Sequence, residues 1–309
     1  MDELTGVRQR AEASADATDS GSMPEADAVA VATARAQKRW IENAPSHAWL
    51  PRLDLRELWT SRELVLILAL RNIKVRYRQT ALGVGWAILQ PLAGVAIFTV
   101  VMHRLANVPS EGIPYPVFAY AGLAVWMYFV NGATAAAESL AQYRDLVTKV
   151  YFPRLLAPLA AILPGLIDLA ISIVAVGVFM AVFGVAPTAA IVFLPFWIAA
   201  AIGTTFGVGV WLSALNARYR DVRNALGFLL QIGLFATPVL YPSSLVHGWF
   251  RVLLYINPVA GVVEGFRWSL IGTPRPGAWA VASLASGLLV LTSGLVYFGR
   301  VERRLADVI

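Results

Sequence analysis

The sequence predicts an all-α integral membrane protein with six transmembrane helices. An N-terminal amphipathic interface helix precedes them, and external re-entrant helices lie between spans five and six. Three observations carry this reading. Hydrophobic residues make up 58% of the 309 and charged residues 14%, where a soluble domain carries roughly 25% charged. The apolar residues collect in runs of about 20, the helical length that crosses a hydrocarbon core. Arginines sit beside alternate runs, so the net charge of +6 reads as a topology signal rather than a nucleic-acid surface.

Residues 1–36 are rich in Ala, Ser, Asp and Glu and poor in large apolar side chains. This composition predicts a disordered acidic cytoplasmic tail. It has no apolar core of a signal peptide, so the first span is expected to direct insertion. Residues 37–81 form a cytoplasmic and interfacial segment. Within it, Leu55, Leu58, Trp59, Val65, Leu66, Ala69, Leu70, Ile73 and Tyr77 recur at three- and four-residue steps. Arg56, Glu57, Glu63, Arg71, Lys74 and Arg78 mostly take the other side, as in a helix lying in the membrane interface.

The transmembrane domain, 82–309, holds apolar segments near 82–103, 115–137, 155–183, 188–213, 224–241 and 279–299. Pro158 and Pro164 lie in the first half of the third, which predicts a tilt or kink. Arg144, Lys149 and Arg154 mark one loop, Arg218, Arg220 and Arg223 another, and Arg300, Arg303 and Arg304 the C-terminus. The intervening loops 104–114 and 184–187 carry few or no basic residues, so both termini are expected in the cytoplasm. The segment 242–278 should then be external, yet WFRVLLYI and VAGVVEGFRWSLI are apolar, too short to span, and separated by Asn257-Pro258. Two short helices dipping into the outer leaflet account for them, and so would an external lid packed on the bilayer surface. Glu264 and Arg267, three apart, have the spacing to pair on one helix face.

Several chemistries lack their residues. Cysteine is absent, which removes disulfides, thiolates and Cys-based metal sites. No G-x-x-x-x-G-K-[ST] loop occurs, and none of Lys38, Lys74 and Lys149 follows a glycine, so the chain is not expected to hydrolyse ATP. His47, His103 and His247 are scattered, and no metal site is predicted. Asp168, within ILPGLIDLAISI, is the clearest ionisable group inside a span and therefore a functional candidate. It fits a proton relay, an ion pair with an arginine of a neighbouring helix, or a bond to backbone loosened by Pro164. With no second intramembrane acid or histidine, the structural roles are favoured.

Two loops combine charge with aromatic residues beyond what topology requires: ESLAQYRDLVTKVYFPR (138–154) and LNARYRDVR (215–223). The stretches RNIKVRYRQTALGVGWAILQPL (71–92), TKVYFPRLLAPLAAILPGLID (148–168), ALNARYRDV (214–222), ATPVLYP (236–242) and INPVAGVVEGFRWSLIG (256–272) extend the pattern. From about residue 55 onward the chain resembles the permease subunit of type-2 ABC exporters, in the polysaccharide, O-antigen and teichoic-acid export branch. The acidic tail has no counterpart in that resemblance.

The resemblance implies a homodimer in the bacterial cytoplasmic membrane, bound to two copies of a separate nucleotide-binding ATPase. ATP and magnesium would sit on that partner, leaving this chain without a cofactor. The cargo would be a lipid-linked polysaccharide, with a cell-wall galactan or an O-antigen-like glycan as examples. The resemblance places an ATPase-coupling helix at 139–152, which points to Tyr143, Arg144, Lys149, Tyr151, Phe152 and Arg154. It gives the first and fifth spans a channel-lining role, which points to Trp86, Phe98, Phe228, Phe235 and Tyr241.

Arg71, Lys74, Arg76 and Arg78 cluster where the interface helix meets the first span, at headgroup depth. Guanidinium forks bind phosphate oxygens in pairs, as the phosphate of a lipid carrier would require. A topology signal, or binding of ordinary anionic lipid, accounts for the same cluster. Rival readings are a type-2 exporter of a drug or small lipid, a proton-coupled carrier using Asp168, and a membrane glycosyltransferase. The last lacks the acidic cluster its chemistry needs.

Overall fold

The computed structural model describes residues 61–78, 85–143, 153–219 and 221–306, without the side chains of 77–78, 86–87 and 302–306. These belong to one compact unit, Leu50–Ile309. Among the described residues every regular element is helical, and five helical segments are long and apolar enough to cross a membrane. The tail and the expected interfacial start at Leu55 lie outside the described residues.

Helix α1 is Arg62–Arg78. It buries Val65 and Leu68 against Tyr143, Leu156, Ala157 and Ala160, while Leu66, Ile67, Leu70 and Val75 remain exposed. The first long segment is α2, Gly85–Phe98, prolonged by a π-helical stretch Thr99–Leu105. There Thr99 Oγ1 donates to Val95 O at 2.6 Å. Next come α3, Tyr115–Gln142, then α4, Leu156–Ile162, and α5, Gly165–Phe183. The break between α4 and α5 falls at Pro164, which has no N–H for the ladder, so the expected interruption is present.

After a 3₁₀ turn, Ala189–Phe193, the chain forms α6, Leu194–Arg218. Where a fifth span was expected, at 224–241, the chain forms the 15-residue α7, Val222–Ala236, which is shorter than the five helices able to cross. Pro238 ends it early, because a residue before proline avoids the helical region, and Thr237 is extended at φ −110° and ψ 143°. A 3₁₀ turn at Ser243–Leu245 leads to α8, Trp249–Ile256, and α9, Ala260–Ile271. These are the two short helices expected on either side of Asn257-Pro258. Last is α10, Ala278–Ala306.

The core is built around α3, whose Tyr115, Phe118, Tyr120, Leu123 and Tyr128 are all but inaccessible. In an apolar solvent, helices associate through close backbone approach rather than hydrophobic expulsion, and small residues supply it here. A methyl group on Gly132 would stand 2.6 Å from Thr205 Cγ2, and one on Gly209 2.6 Å from Ala136 Cβ. These contacts seat α3 on α6. On the opposite side of α6, a Cβ at Gly207 would stand 2.8 Å from the Leu291 main chain of α10. Gly207→Ala is therefore expected to lower stability by about 1 kcal/mol, the low end of overpacking costs. Thermal unfolding in detergent would show it. An unchanged midpoint would mean that α10 yields freely.

Candidate functional site

Two regions of the unit hold the functional candidates. At one end α1, α4 and the C-terminal turn of α3 form an elbow, and α2 and α7 each leave an apolar flank open.

In the elbow, Arg71 and Lys74, three apart, share one side of α1, whereas Arg76 projects elsewhere. Arg76 Nη2 reaches Asp168 Oδ2 at 2.6 Å, with the two side chains 41% and 15% exposed. The intramembrane acid is thus held by an arginine from another helix, one of the two structural roles favoured above. Arg71 and Lys74 are exposed, and the Arg71 guanidinium lies 5.9 Å from the ring centre of Tyr143. The side chain of Arg78 lies outside the described residues.

Tyr143 is buried within the chain, and its hydroxyl donates to Asn72 Oδ1 at 2.7 Å. It ties the end of α3 to α1. Arg154, half-buried, opens the turn into α4, and its carbonyl accepts the Ala157 N–H at 3.1 Å. Arg144, Lys149, Tyr151 and Phe152 lie outside the described residues. The basic turn after α6 is fastened to the same end of α3. Asn216 Nδ2 donates to Ala137 O at 2.9 Å, and Arg223 Nε meets Glu138 Oε1 at 2.8 Å.

On the flank, α7 buries only Leu226 and approaches α3 where Gly233 faces Trp126. Phe228 (64% exposed), Ile232 and Phe235 (53% exposed) recur at four- and three-residue steps and make one apolar stripe. On α2, Ile88, Leu89 and Ile97 are exposed as well. Phe98 packs half-buried against the core, so its ring does not join the stripe. Tyr241 is half-buried, and its hydroxyl closes on Phe235 O at 3.0 Å, satisfying a carbonyl in the last turn of α7. The side chain of Trp86 lies outside the described residues.

Arg267, which the sequence offered only as a partner for Glu264, organises the end opposite the elbow. Arg267 is 2% exposed. Its Nε donates to Phe118 O at 3.1 Å, its Nη1 to Pro238 O at 2.6 Å and its Nη2 to Val239 O. The guanidinium also lies 3.7 Å over the Phe118 ring. Tyr115 adds a hydrogen bond to Leu240 O at 2.9 Å. Residues 238–240, unwound by Pro238, thereby find donors inside the protein. Glu264 does not carry this interaction. Its carboxylate accepts the Tyr255 hydroxyl at 2.7 and 2.9 Å. Burial raises the Glu264 pKa, while hydrogen bonds from Ser243 and Tyr255 and the charge of Arg267 pull it back. A lone arginine in the apolar run VVEGFRWSL was the available signal, and the acid three residues away drew attention from it.

Long apolar helices joined through glycine contacts, with ionisable groups paired inside, define a multi-pass helical membrane protein. Residues 63–271 match the ABC-2 type transporter family, and the chain belongs to that family. It is similar to the O-antigen export system permease protein RfbA of Myxococcus xanthus, with 31% identity over 243 residues, 77% of this chain and 91% of that protein. A protein of the same name from Klebsiella pneumoniae is 25% identical over 248 residues, 80% of this chain and 95% of that one.

Proposed function

We propose that this chain is the permease subunit of an ATP-driven exporter that carries a lipid-linked polysaccharide across the bacterial cytoplasmic membrane. The observation that carries the reading is the open apolar flank, seen in a chain whose relatives are named as O-antigen export permeases. A monomer would leave the Phe228–Phe235 stripe and the exposed face of α2 to lipid alone. Two copies would enclose a passage between them, and aromatic faces offer a sliding polymer contact without fixed hydrogen bonds.

In this reading the chain crosses six times. Helix α7 covers about 22 Å at 1.5 Å per residue, short of a roughly 30 Å core, and the non-helical residues 237–242 complete the fifth crossing. Both termini are cytoplasmic, as the basic loops require. The elbow then faces the cytoplasm, α1 lies in the interface, and α8 and α9 are external and re-entrant. The 139–152 segment docks the ATPase through Arg144, Lys149, Tyr151 and Phe152, with Arg154 beside it, and Tyr143 positions it from within. Arg71, Lys74, Arg76 and Arg78 receive the carrier phosphate at the inner leaflet, with Arg76 set in place by Asp168. ATP and magnesium belong to the partner.

The test is reconstitution with and without an ATPase subunit. The lone chain is expected to show no hydrolysis. The complex is expected to hydrolyse ATP and to deliver a lipid-linked glycan to the far side of a proteoliposome. Hydrolysis by the purified chain alone, or a complex that moves small amphiphiles but never the glycan, contradicts the proposal.

A further inference from the structure

We propose that α8 and the turn before it form a second site, for a membrane amphiphile with a phosphate headgroup. The phosphate enters a polar cavity against Arg251 and Arg275, and the hydrocarbon chain lies in an apolar groove on the other side of α8. The proposal rests on the reading above only for placing this end at the outer leaflet.

The cavity measures about 210 Å³, far more than the roughly 15 Å³ one water requires. Glu111, Ser243, Arg251, Tyr255, Glu264 and Arg275 are among its lining residues. Its acids are already engaged: Glu264 takes the Tyr255 hydroxyl, and Glu111 takes Ser244 Oγ at 2.9 Å. Arg267 spends its donors on carbonyls. Arg251 differs, because its Nε is buried and has no hydrogen-bond partner among the described residues. A buried guanidinium N–H without an acceptor is costly. Arg275 stands exposed at the rim of the same cavity. The lining sets three arginines against two glutamates, a net positive formal charge, and the planar forks of Arg251 and Arg275 match the oxygens of a phosphate.

Helical spacing supplies the division between head and tail. Arg251 and Tyr255, four apart, face the cavity, whereas Phe250, Leu253 and Leu254 line an apolar groove of about 780 Å³. Residues 242–244 line the first space and 245–247 the second, so one short turn separates them. Trp249 and Phe250 are stacked at 3.8 Å between ring centres and are exposed. Aromatic side chains of this kind settle at headgroup level, which sets the cavity at the depth of a lipid phosphate.

The experiment uses the full chain, purified in a maltoside detergent without an ATPase. Farnesyl diphosphate, dihexanoyl phosphatidic acid and inorganic phosphate serve as probes. Both amphiphiles are expected to bind saturably, with inorganic phosphate at least tenfold weaker because it leaves the groove empty. Arg251→Gln is expected to weaken amphiphile binding at least tenfold, and Arg251→Lys less, with elution profile and melting unchanged. Tighter binding of the isoprenoid diphosphate identifies the carrier of the exported glycan as the source. Tighter binding of phosphatidic acid identifies a bilayer phospholipid. No saturable binding, or parental affinity in the Arg251→Gln/Arg275→Gln double variant, overturns the site. Because no transport is measured, a failed export assay leaves this result standing, and the reverse also holds.

Discussion

Replacing Arg267 with leucine is expected to prevent the protein from accumulating in folded form. The side chain donates to the carbonyls of Phe118, Pro238 and Val239 while 2% exposed, and leucine leaves the non-helical Pro238 and Val239 carbonyls without that donor, whereas Phe118 O keeps its place in the helical ladder. Each buried polar group abandoned in this way costs about 1–3 kcal/mol. The loss is therefore expected to be at least about 2 kcal/mol, a large share of the margin of a typical fold. Arg267→Lys keeps the charge but not the fork and should fall between the parent and leucine. Membrane-fraction yield and the unfolding midpoint in detergent measure both variants. A leucine variant that melts with the parent would show that 237–240 is held by other contacts.

Arg76→Glu is expected to lift α1 from the bundle and reduce export by an order of magnitude or more. It sets a carboxylate against Asp168, where the native pair closes at 2.6 Å. Like charges at such separation repel strongly. Arg76 is 41% exposed, so the effect should fall between the roughly 1 kcal/mol of a surface pair and the 3–5 kcal/mol of breaking a buried one. About 2 kcal/mol is expected, more than tenfold in the docking equilibrium. The Arg76→Glu/Asp168→Arg exchange should recover much of the loss. Asp168→Asn, which removes the charge but keeps size and hydrogen bonding, is expected to leave substantial ATP-driven export. If Asp168→Asn abolishes transport in a folded, assembled complex, the aspartate carries protons and the ion-pair reading fails. Cross-linking between α1 and α5 follows the docking separately from export.

The hydrophobic runs and the prolines alone determined the helical class, the order of the elements and the interruption at Pro164. Those features depend on local chain length, on backbone donors and on which residues lie beside one another in sequence. The two short helices around Asn257-Pro258 were legible for the same reason. The motif residues 71–92 and 256–272 also carried the family. Sequence spacing alone contains enough to separate Arg76 from Arg71, Lys74 and Arg78, yet only the structure shows that Asp168 is what it meets.

Tertiary structure decided the rest, because those features depend on contacts between residues far apart in the chain. Tyr143, placed by sequence in a partner-binding loop, lies inside against Asn72, 71 positions away. Phe98 turns to the core while Phe228 and Phe235 stay outside, a choice that composition cannot make when every face of a span is apolar. Arg267 serves carbonyls 149, 29 and 28 residues distant. Periodicity identifies an apolar face only against a polar one, and in a membrane helix that contrast is missing. What tells core from flank is close backbone approach, set by small residues meeting across helices, and only the assembled bundle brings them together.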